Sequence, residues 1–426
     1  MFLKTMTLCN YRGFDNLKID FTDRTTVIVG KNGTGKTTIL DAAAISAGTL
    51  LYSFKNISNP GIKKNDAHNK FFEMGSSIDV QPQYPVSITS SGIINGNELT
   101  WERSLLTETG RTTIMNAKEI TSESERFQKR LMQGDKDLIL PVIAYYGTGR
   151  LWDQHREKKS DVLKQNTRTN GYIDSLDGSA NIKLMLKWFQ KMAKKEAEGF
   201  NSVPEYTIVK QAMEKFFLSV TSANDVKIDF NFDTLEIDIS YHINDGCVKL
   251  PLNQLSDGYR CAISLIADIA YRMATLNPAL LDNALTETNG LILIDEIDLH
   301  LHPAWQRKII KELNTIFPKV QFIVSTHAPA VIQSVMSESI VILDNYSCRK
   351  PGSEIYGRDV NGILKSIMEV KERPDDIAEK FDSFYSAIDS EDYSLAENLL
   401  NELEELIGSD DSEITSCRIR LDLEQL

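Results

Sequence analysis

The chain has 426 residues, of which 42% are hydrophobic and 25% are charged. These proportions are typical of globular proteins and exclude a fibrous, collagenous or wholly disordered chain. The net charge of −13 is concentrated at the end, because residues 371–426 carry 17 acidic and 5 basic side chains while residues 1–370 carry 43 and 42. An acidic chain usually avoids nucleic acid, but that inference applies here only to the tail.

Hydropathy and cysteine usage indicate the compartment. No run approaches the roughly 18 apolar residues of a membrane span, and the first residues turn polar before a signal-peptide core forms. The cysteines are odd in number, scattered and without a C-x-x-C pair, which argues against a disulfide framework or a zinc knuckle; they are Cys9, Cys247, Cys261, Cys348 and Cys417. The sequence therefore predicts a protein of the reducing cytoplasm that does not enter membranes.

The first 150 residues are rich in strand patterns. Apolar, alternating or β-branched runs predict strands at 2–8, 17–21, 25–29, 86–94, 98–106 and 138–146. The dipeptide Asn95-Gly96 predicts that two of these strands form a hairpin. Helical patterns cover 37–51 and 122–132. We expect an antiparallel sheet beside a unit in which a strand leads through a glycine loop into a helix.

The remainder mixes helices with short buried strands. A polar, irregular stretch at 152–178 predicts a long loop or insertion. Helical spacing then follows at 182–195, 204–220, 261–275, 305–317, 358–369, 375–389 and 392–407. Strand patterns lie at 226–230, 235–241, 291–295, 320–325 and 340–343. Strands that alternate with helices are typical of parallel βαβ units.

These elements predict an α/β fold with a mixed, mainly parallel sheet, an antiparallel β subdomain, a helical insertion and a helical tail. We expect the main domain to be divided into an N-terminal part, 1–150, and a C-terminal part, 226–350. A mainly helical insertion, 151–225, separates them, and an acidic helical region, 351–426, follows.

A phosphate-binding motif lies between the third strand and the first helix. Residues 30–37 read Gly-Lys-Asn-Gly-Thr-Gly-Lys-Thr and satisfy G-x-x-x-x-G-K-[ST]. Glycines let backbone N–H groups face an anion, the helix N-terminus adds partial positive charge, Lys36 neutralises phosphates and Thr37 offers a hydroxyl to Mg²⁺. The predicted contacts to ATP in this glycine loop are Asn32, Gly33, Thr34, Gly35, Lys36, Thr37 and Thr38.

Two carboxylates end the apolar strand 291–295. Asp295 at the strand tip is a candidate ligand of Mg²⁺, together with Thr37, and Glu296 is a candidate to polarise the attacking water. A buried strand that ends in acidic residues is common. The functional interpretation of this pair therefore depends on the presence of the glycine loop in the same chain.

Residues 255–260 and His327 are further candidates for contacts with phosphate. Residues 255–260, Leu-Ser-Asp-Gly-Tyr-Arg, open a helix and form a second N-terminus suited to phosphate, although a plain capping motif looks the same. His327 ends the strand over 320–325, where a histidine is more often structural than catalytic. We call residues 255–260 the signature segment.

Taken together, these motifs resemble the ATP-binding-cassette ATPases, in the branch of SMC, RecF and OLD proteins. The opening Asn-Tyr-Arg-Gly-Phe at 10–14, the signature segment and Asp-Glu-Ile-Asp-Leu-His-Leu-His-Pro at 295–303 carry this resemblance. It implies a P-loop ATPase whose dimer encloses two ATP molecules with Mg²⁺. It also implies that the signature residues of one subunit act on the ATP of the other, that His327 contacts the γ-phosphate and that Asp298 lies at the seam. Further contacts to ATP implied in this way are Arg12, Ser256, Asp257 and Gly258. The catalytic residues implied in this way are Lys36, Glu296 and His327.

The chain departs from that branch in three respects. The segment 144–150, where the family carries a glutamine that senses Mg²⁺ and γ-phosphate, contains none, which predicts slow hydrolysis. Residues 51–250 lack the sustained heptads of a coiled-coil arm. After His327 we find no Asp-x-Asp pair of an OLD-type nuclease, and the six histidines form no His-Asn-His cluster, so no nuclease site is expected in this chain.

The later part of the chain resembles Septu-type ATPases, which are found in anti-phage defence and alongside retrons. Gly171-Tyr172, Trp188-Phe189, residues 355–361 and Arg373-Pro374 carry this resemblance. It implies an ATPase that works with a separately encoded His-Asn-His (HNH) nuclease. The tail is either a docking arm for that partner or a cap on its own domain, and its apolar stripe comprises Leu395, Leu399, Leu403 and Leu406. The alternative is a RecF-like DNA-repair ATPase that binds DNA when ATP is bound.

Two sets of residues remain open to more than one interpretation. The lysines between 183 and 195, and Arg126, Lys129 and Arg130, form either a nucleic-acid surface or solvated helix faces. His300 and His302 resemble a metal-ligand pair, but a Leu-His-Pro turn accounts for His302 without a metal.

Overall fold

The structure is a computed structural model, and it describes residues 1–55, 57–149, 167–178, 182–199, 203–243, 246–368 and 373–425. Most of the predicted polar loop, residues 152–166, lies outside the described residues, as does Arg150. The chain forms two compact units, Met1–Arg358 and Asp359–Leu426.

A six-stranded sheet forms the centre of the first unit. Its strands are β3 (Thr25–Gly30), β8 (Val142–Tyr146), β12 (Gly290–Ile294), β13 (Val320–Thr326), β14 (Ile340–Asp344) and β15 (Ser347–Arg349). The order is β15-β14-β3-β13-β12-β8, and all neighbours are parallel except β14 and β15. Strands β3, β8, β12 and β13 are buried along their whole length, as expected when both faces of a parallel sheet are covered.

An antiparallel sheet stands beside it. Its strands are β1 (Phe2–Tyr11), β2 (Phe14–Asp20), β6 (Val86–Ile94) and β7 (Asn97–Leu105), in the order β2-β1-β6-β7. The predicted hairpin is confirmed, since β6 and β7 pair and both turn residues, Asn95 and Gly96, have positive φ of 52° and 83°. A separate hairpin of β4 (Asn69–Met74) and β5 (Ser77–Pro82) was not predicted.

A third sheet and long helices complete this unit. Strands β9 (Asn224–Asn231), β10 (Glu236–Ile243) and β11 (Gly246–Pro251) lie in the order β11-β10-β9, and β11 was not predicted. The longer helices are α1 (Lys36–Gly48), α2 (Lys118–Met132), α3 (Ile182–Ala197), α4 (Pro204–Val220) and α5 (Asp257–Leu276).

Four shorter helices lie between α5 and β14 along the described part of the chain. They are α6 (Ala284–Glu287), α7 (Pro303–Gln306), α8 (Ile309–Ile316) and α9 (Pro329–Ile332). The prediction of one helix over 305–317 was wrong in detail, because α7 and α8 divide this stretch. The predicted α/β class, with its mainly parallel sheet, antiparallel β subdomain and C-terminal helices, is confirmed.

The second unit is helical. It contains α10 (Val360–Ile363), α11 (Asp375–Asp389), α12 (Tyr393–Ile407) and α13 (Ser412–Glu424), and α13 was not predicted. The core of this unit includes Phe384, Leu400 and Leu403. Leu399 packs against the core, whereas the side chains of Leu395 and Leu406 are 48% and 60% exposed. The predicted leucine stripe is therefore divided between the core and the surface.

Candidate functional site

The glycine loop connects the end of β3 to the start of α1. Gly33 and Gly35 have φ of 82° and 101°, a backbone region that glycine occupies without a steric penalty. A Cβ atom at Gly35 would lie 2.5 Å from the ring of Phe14. The loop therefore requires glycine at this position for its conformation and for its contact with the antiparallel sheet.

Lys36 bridges the loop from inside. Its Nζ donates hydrogen bonds to the carbonyl oxygens of Gly30 and Lys31, at 2.9 and 3.0 Å, and the residue is 6% exposed. Burial lowers the pKa of the Lys36 ammonium, and the nearby carboxylates of Asp295, Glu296 and Asp298 act in the opposite direction. The loop thus holds a largely dehydrated cation at the position where phosphates are expected.

Thr37 and Asp295 form the candidate metal site. The Thr37 hydroxyl donates to Asp295 Oδ2 at 2.7 Å, which links α1 directly to the end of β12. The other carboxylate oxygen, Asp295 Oδ1, accepts a hydrogen bond of 2.5 Å from Ser325. Mg²⁺ prefers oxygen ligands and is usually bound through one or two protein groups besides phosphates and water. This oxygen donor set fits that ion.

Glu296 has an unusual backbone conformation. Its φ is 46°, and its N–H donates to Ser325 Oγ at 2.8 Å. Ser325 therefore contacts both neighbouring acidic residues. A bulky residue with positive φ is rare, and such conformations are concentrated at functional sites, where surrounding bonds hold them in place. Here β13 holds the turn that positions the carboxylate.

His327 follows the neighbouring strand. Thr326 donates to Asp298 Oδ1 at 2.5 Å and accepts from the N–H of Ala328 at 3.0 Å, so the backbone on both sides of the histidine is fixed. Burial lowers the pKa of His327, and the positive charge of Lys36 lowers it further, against the opposing effect of Asp298 and Asp295. The imidazole is therefore neutral near pH 7.

The strand order explains why these residues meet. Strand β13 lies between β3 and β12, so the glycine loop, His327 and the Asp295-Glu296 pair all follow carboxyl ends of neighbouring parallel strands. Ligands of open α/β sheets bind at this edge. The structure thus places Lys36, Thr37, Asp295, Glu296 and His327 at one site.

The signature segment contacts a different part of the molecule. Ser256 and Asp257 are exposed, and Asp257 accepts a 2.8 Å hydrogen bond from Arg260. A Cβ atom at Gly258 would lie 2.6 Å from the carbonyl oxygen of His300, and the rings of Tyr259 and Trp305 lie 4.1 Å apart. In the described hydrogen bonds, neither Ser256 nor Asp257 reaches the glycine loop. The predicted role of these residues in a second subunit remains a prediction.

Arg12 is held by two carboxylates beside the glycine loop. Its guanidinium donates to Asp41 at 2.6 Å and to Asp66 at 2.8 Å. Asp41 lies on α1, one turn beyond Thr37. A direct contact of Arg12 with ATP stays a prediction.

The sequence did not reveal Tyr145, which lies where the family's glutamine segment was expected. Strands β8 and β12 are parallel, with Tyr146 opposite Ile294, so the residues after β8 lie beside Asp295. Burial raises the pKa of Tyr145, and the carboxylates of Asp41 and Asp295 raise it further. A neutral tyrosine hydroxyl is therefore held near the candidate metal site.

His302 has a structural role. Its Nδ1 accepts a 3.2 Å hydrogen bond from the N–H of Ala304 and caps α7. Across the described part of the chain, no group of three or more His, Cys, Asp and Glu side chains is arranged to hold a metal ion. The helices in that part are also too short or too polar to cross a membrane.

Comparison with known proteins identifies the family. Residues 5–217 match the family described as AAA domain, and residues 117–332 match the one described as AAA ATPase domain. Each match spans half of the chain. The chain belongs to the AAA ATPase domain family. The glycine loop, Asp295 and Glu296 are thus parts of an ATPase domain.

Individual relatives extend over most of the chain. The Retron Vc95 probable ATPase of Vibrio cholerae serotype O1 biovar El Tor is 28% identical over 425 positions, covering 87% of this chain and 80% of the relative. Septu protein PtuA of Bacillus thuringiensis is 26% identical, covering 91% of this chain and 90% of the relative. A solved structure of the SmcHead bound to the C-winged helix domain of ScpA is 14% identical, with a TM-score of 0.46. The match covers 84% of this chain and 99% of the chain in that structure.

Proposed function

We propose that this chain is the ATP-binding and ATP-hydrolysing subunit of a bacterial anti-phage defence system, and that its nucleotide state controls a separately encoded HNH nuclease. The observation that carries the ATPase part is the bonding of Thr37 and Ser325 to the two oxygens of Asp295. Similarity to retron and Septu ATPases over most of the chain supports the defence role.

The chain's own residues have distinct tasks in this mechanism. Lys36 and the N–H groups of the glycine loop bind and orient the phosphates, because the lysine already lies across the loop. Glu296 orients the attacking water and accepts its proton. Mg²⁺, held through Thr37 and Asp295, would neutralise charge on the phosphates. His327, neutral near pH 7, would donate the hydrogen bond of its one ring N–H to the γ-phosphate.

Glu296→Gln tests the catalytic assignment. We expect ATP turnover to fall by about 100-fold or more while ATP still binds, because the amide keeps the side-chain shape but cannot accept the proton. Phosphate release and calorimetric ATP binding, measured on the full chain, give the two quantities. Glu338→Gln is the control, since this exposed glutamate lies outside the site. Turnover equal to that of the wild type would remove Glu296 from this role.

Lys36→Ala tests the phosphate site separately. The substitution removes the cation that the loop carbonyls hold, so we expect calorimetric ATP affinity to fall by about 100-fold or more. Tight binding by this variant would contradict the assignment of the glycine loop to the phosphates.

The partnership with a nuclease is tested on cells and on the purified pair. We expect an HNH nuclease gene beside the gene of this chain, and we expect loss of phage protection when Glu296→Gln replaces the wild type. Leu395 and Leu406 are the exposed apolar residues of α12, so Leu395→Asp with Leu406→Asp should weaken co-purification of that nuclease. Asn398→Asp on the same helix is the matched control. Intact protection by the Glu296 variant, or unchanged co-purification, would contradict the proposal.

A further inference from the structure

A cavity of about 360 Å³ lies in the first unit, away from the glycine loop. It opens between α3, the start of α4, the end of α5 and the segment around Arg168. Its lining includes Arg168, Lys187, Trp188, Lys191, Lys195 and Tyr271. The ATPase mechanism uses none of these residues.

The lining is strongly cationic. Lys187, Lys191 and Lys195 follow one another at intervals of four residues on α3, so they lie on one face, about 6 Å apart along the axis. Glu205 is the acidic residue among the lining residues. Four cations around one cavity focus positive potential there, although residues 1–370 as a whole are nearly neutral.

Arg168 closes the other side of the cavity. Its guanidinium donates to the carbonyl oxygens of Leu276 and Leu138 at 2.6 and 2.5 Å, and to Asn277 Oδ1 at 3.1 Å. These neutral acceptors fix the orientation of the guanidinium and leave it charged. The cation opposite the lysine row is thus rigidly positioned.

An aromatic surface lies beside the lysines. Trp188 is half-buried, and its ring packs edge-on against Tyr271 at 5.2 Å and against Phe189 at 5.5 Å. These contacts restrict the indole and leave part of it in the cavity lining. A fixed aromatic ring next to a row of cations is the combination with which proteins hold single strands, through base stacking and phosphate contacts.

We infer that this cavity binds single-stranded nucleic acid, with consecutive phosphates on Lys187, Lys191 and Lys195 and a base against Trp188. The lysine row extends over about 12 Å, which suits a polymer with repeated phosphates better than a single nucleotide. The proposal goes beyond ATP hydrolysis, since it concerns a second site with a different ligand.

Fluorescence anisotropy of a labelled twelve-residue oligo-dT tests this proposal. The full chain, without ATP, is titrated at several salt concentrations. We expect Lys187→Glu/Lys191→Glu/Lys195→Glu to bind at least tenfold more weakly and to reduce the slope of log affinity against log salt by about 2, because each lost phosphate contact on a single strand removes about 0.7. Trp188→Leu should weaken binding by about tenfold with little change in slope.

Matched variants make the test specific. Lys191→Glu should weaken binding severalfold, whereas Lys194→Glu should change it less than twofold, because Lys194 lies on the same helix outside the cavity lining, 3.6 Å from Glu198. Lys36→Ala should retain strand binding, which separates this site from the ATP site. Thermal unfolding of each variant checks that it is folded.

Three results would overturn the proposal. One is wild-type affinity and salt slope in the triple variant. Another is equal loss of affinity in Lys191→Glu and Lys194→Glu, which would indicate a diffuse surface charge. The third is dTMP binding as tightly as the oligonucleotide, which would assign the cavity to a mononucleotide.

Discussion

The hydroxyl of Ser325 contacts both acidic residues of the candidate site. Ser325 Oγ donates to Asp295 at 2.5 Å and accepts from the N–H of Glu296 at 2.8 Å. It thereby fixes the candidate metal ligand and the candidate base from the neighbouring strand. The sequence indicated both acidic residues, but a contact between strands 30 residues apart depends on strand order, which the local pattern does not contain.

The protonation of His327 gives a residue-level prediction. Burial and the charge of Lys36 lower the pKa of His327 in the folded protein, so the unfolded chain binds this proton more readily, near the ordinary value of about 6.5. The stability contributed by the neutral imidazole is therefore present above that pH and is lost as the pH falls below it. We expect wild type to lose free energy of unfolding relative to His327→Gln between pH 7.5 and pH 5.

Urea unfolding at several pH values measures this difference. His242→Gln is the control, since His242 lies on an exposed part of β10. A difference between wild type and His327→Gln that stays constant over this range, or that favours wild type at the acidic end, would contradict the prediction.

Among the helices, α5 carries the signature segment and is fixed by a buried ion pair. Arg272 donates to Asp268 at 2.7 Å, Tyr146 on β8 donates to the same carboxylate at 2.8 Å, and Arg272 also donates to the Gly171 carbonyl oxygen at 2.9 Å. Both ion-pair side chains are at most 3% exposed. The pair and the Tyr146 hydroxyl thus join α5 to β8, the strand beside β12.

Breaking this pair tests its role at the level of the helix. Arg272→Met leaves a buried carboxylate uncompensated, and we expect a loss of about 3–5 kcal/mol in the free energy of unfolding. Adding Asp268→Leu and Tyr146→Phe removes the stranded carboxylate and hydroxyl and should recover part of that loss, because the carbonyl oxygens of Gly171 and Ile173 still lack the arginine donor. Urea unfolding followed by tryptophan fluorescence measures the free energy of unfolding of the single variant and of the triple variant.

Arg260→Met provides the surface control on the same helix. Arg260 pairs with the half-exposed Asp257 at 2.8 Å, and exposed pairs contribute about 0–1 kcal/mol. If Arg272→Met cost no more than Arg260→Met, the buried pair would have no special structural role.

The unpredicted hairpin of β4 and β5 and the unpredicted helix α13 each have a physical explanation. Strands β4 and β5 expose Phe71, Ile78 and Val80, so burial imposes no alternation of apolar and polar residues on them. In α13 the core positions Ile414, Cys417 and Leu421 have helical spacing, but Ile419 and Leu423 make the apolar residues from 417 to 423 alternate as in a strand. Continuous apolar runs therefore predicted the buried strands of the central sheet, whereas tertiary contacts decided these other elements.

At the scale of the whole molecule, the two predicted parts of the ATP site lie on different elements. The glycine loop, Asp295 and Glu296 lie at one edge of the central sheet, while Ser256 is exposed at the start of α5. An exposed glycine-containing helix start has hydrogen-bond donors available for an anion. The resemblance to ATP-binding-cassette proteins implies that these donors act on the ATP of a second protomer, and the proposed site would then be incomplete without dimerisation.

Ser256→Arg tests the shared site in the assembled protein. In a Glu296→Gln background, which retains ATP, we expect Mg²⁺ and ATP to shift the chain to a dimer in light scattering after size exclusion. Ser256→Arg in the same background should remain a monomer at equal ATP affinity, because the added bulk and charge obstruct closure without touching the glycine loop. Ser416→Arg, an exposed serine on α13, should dimerise normally. Dimerisation of the Ser256 variant on ATP would contradict the shared site, and loss of its ATP affinity would instead place Ser256 in the pocket of its own protomer.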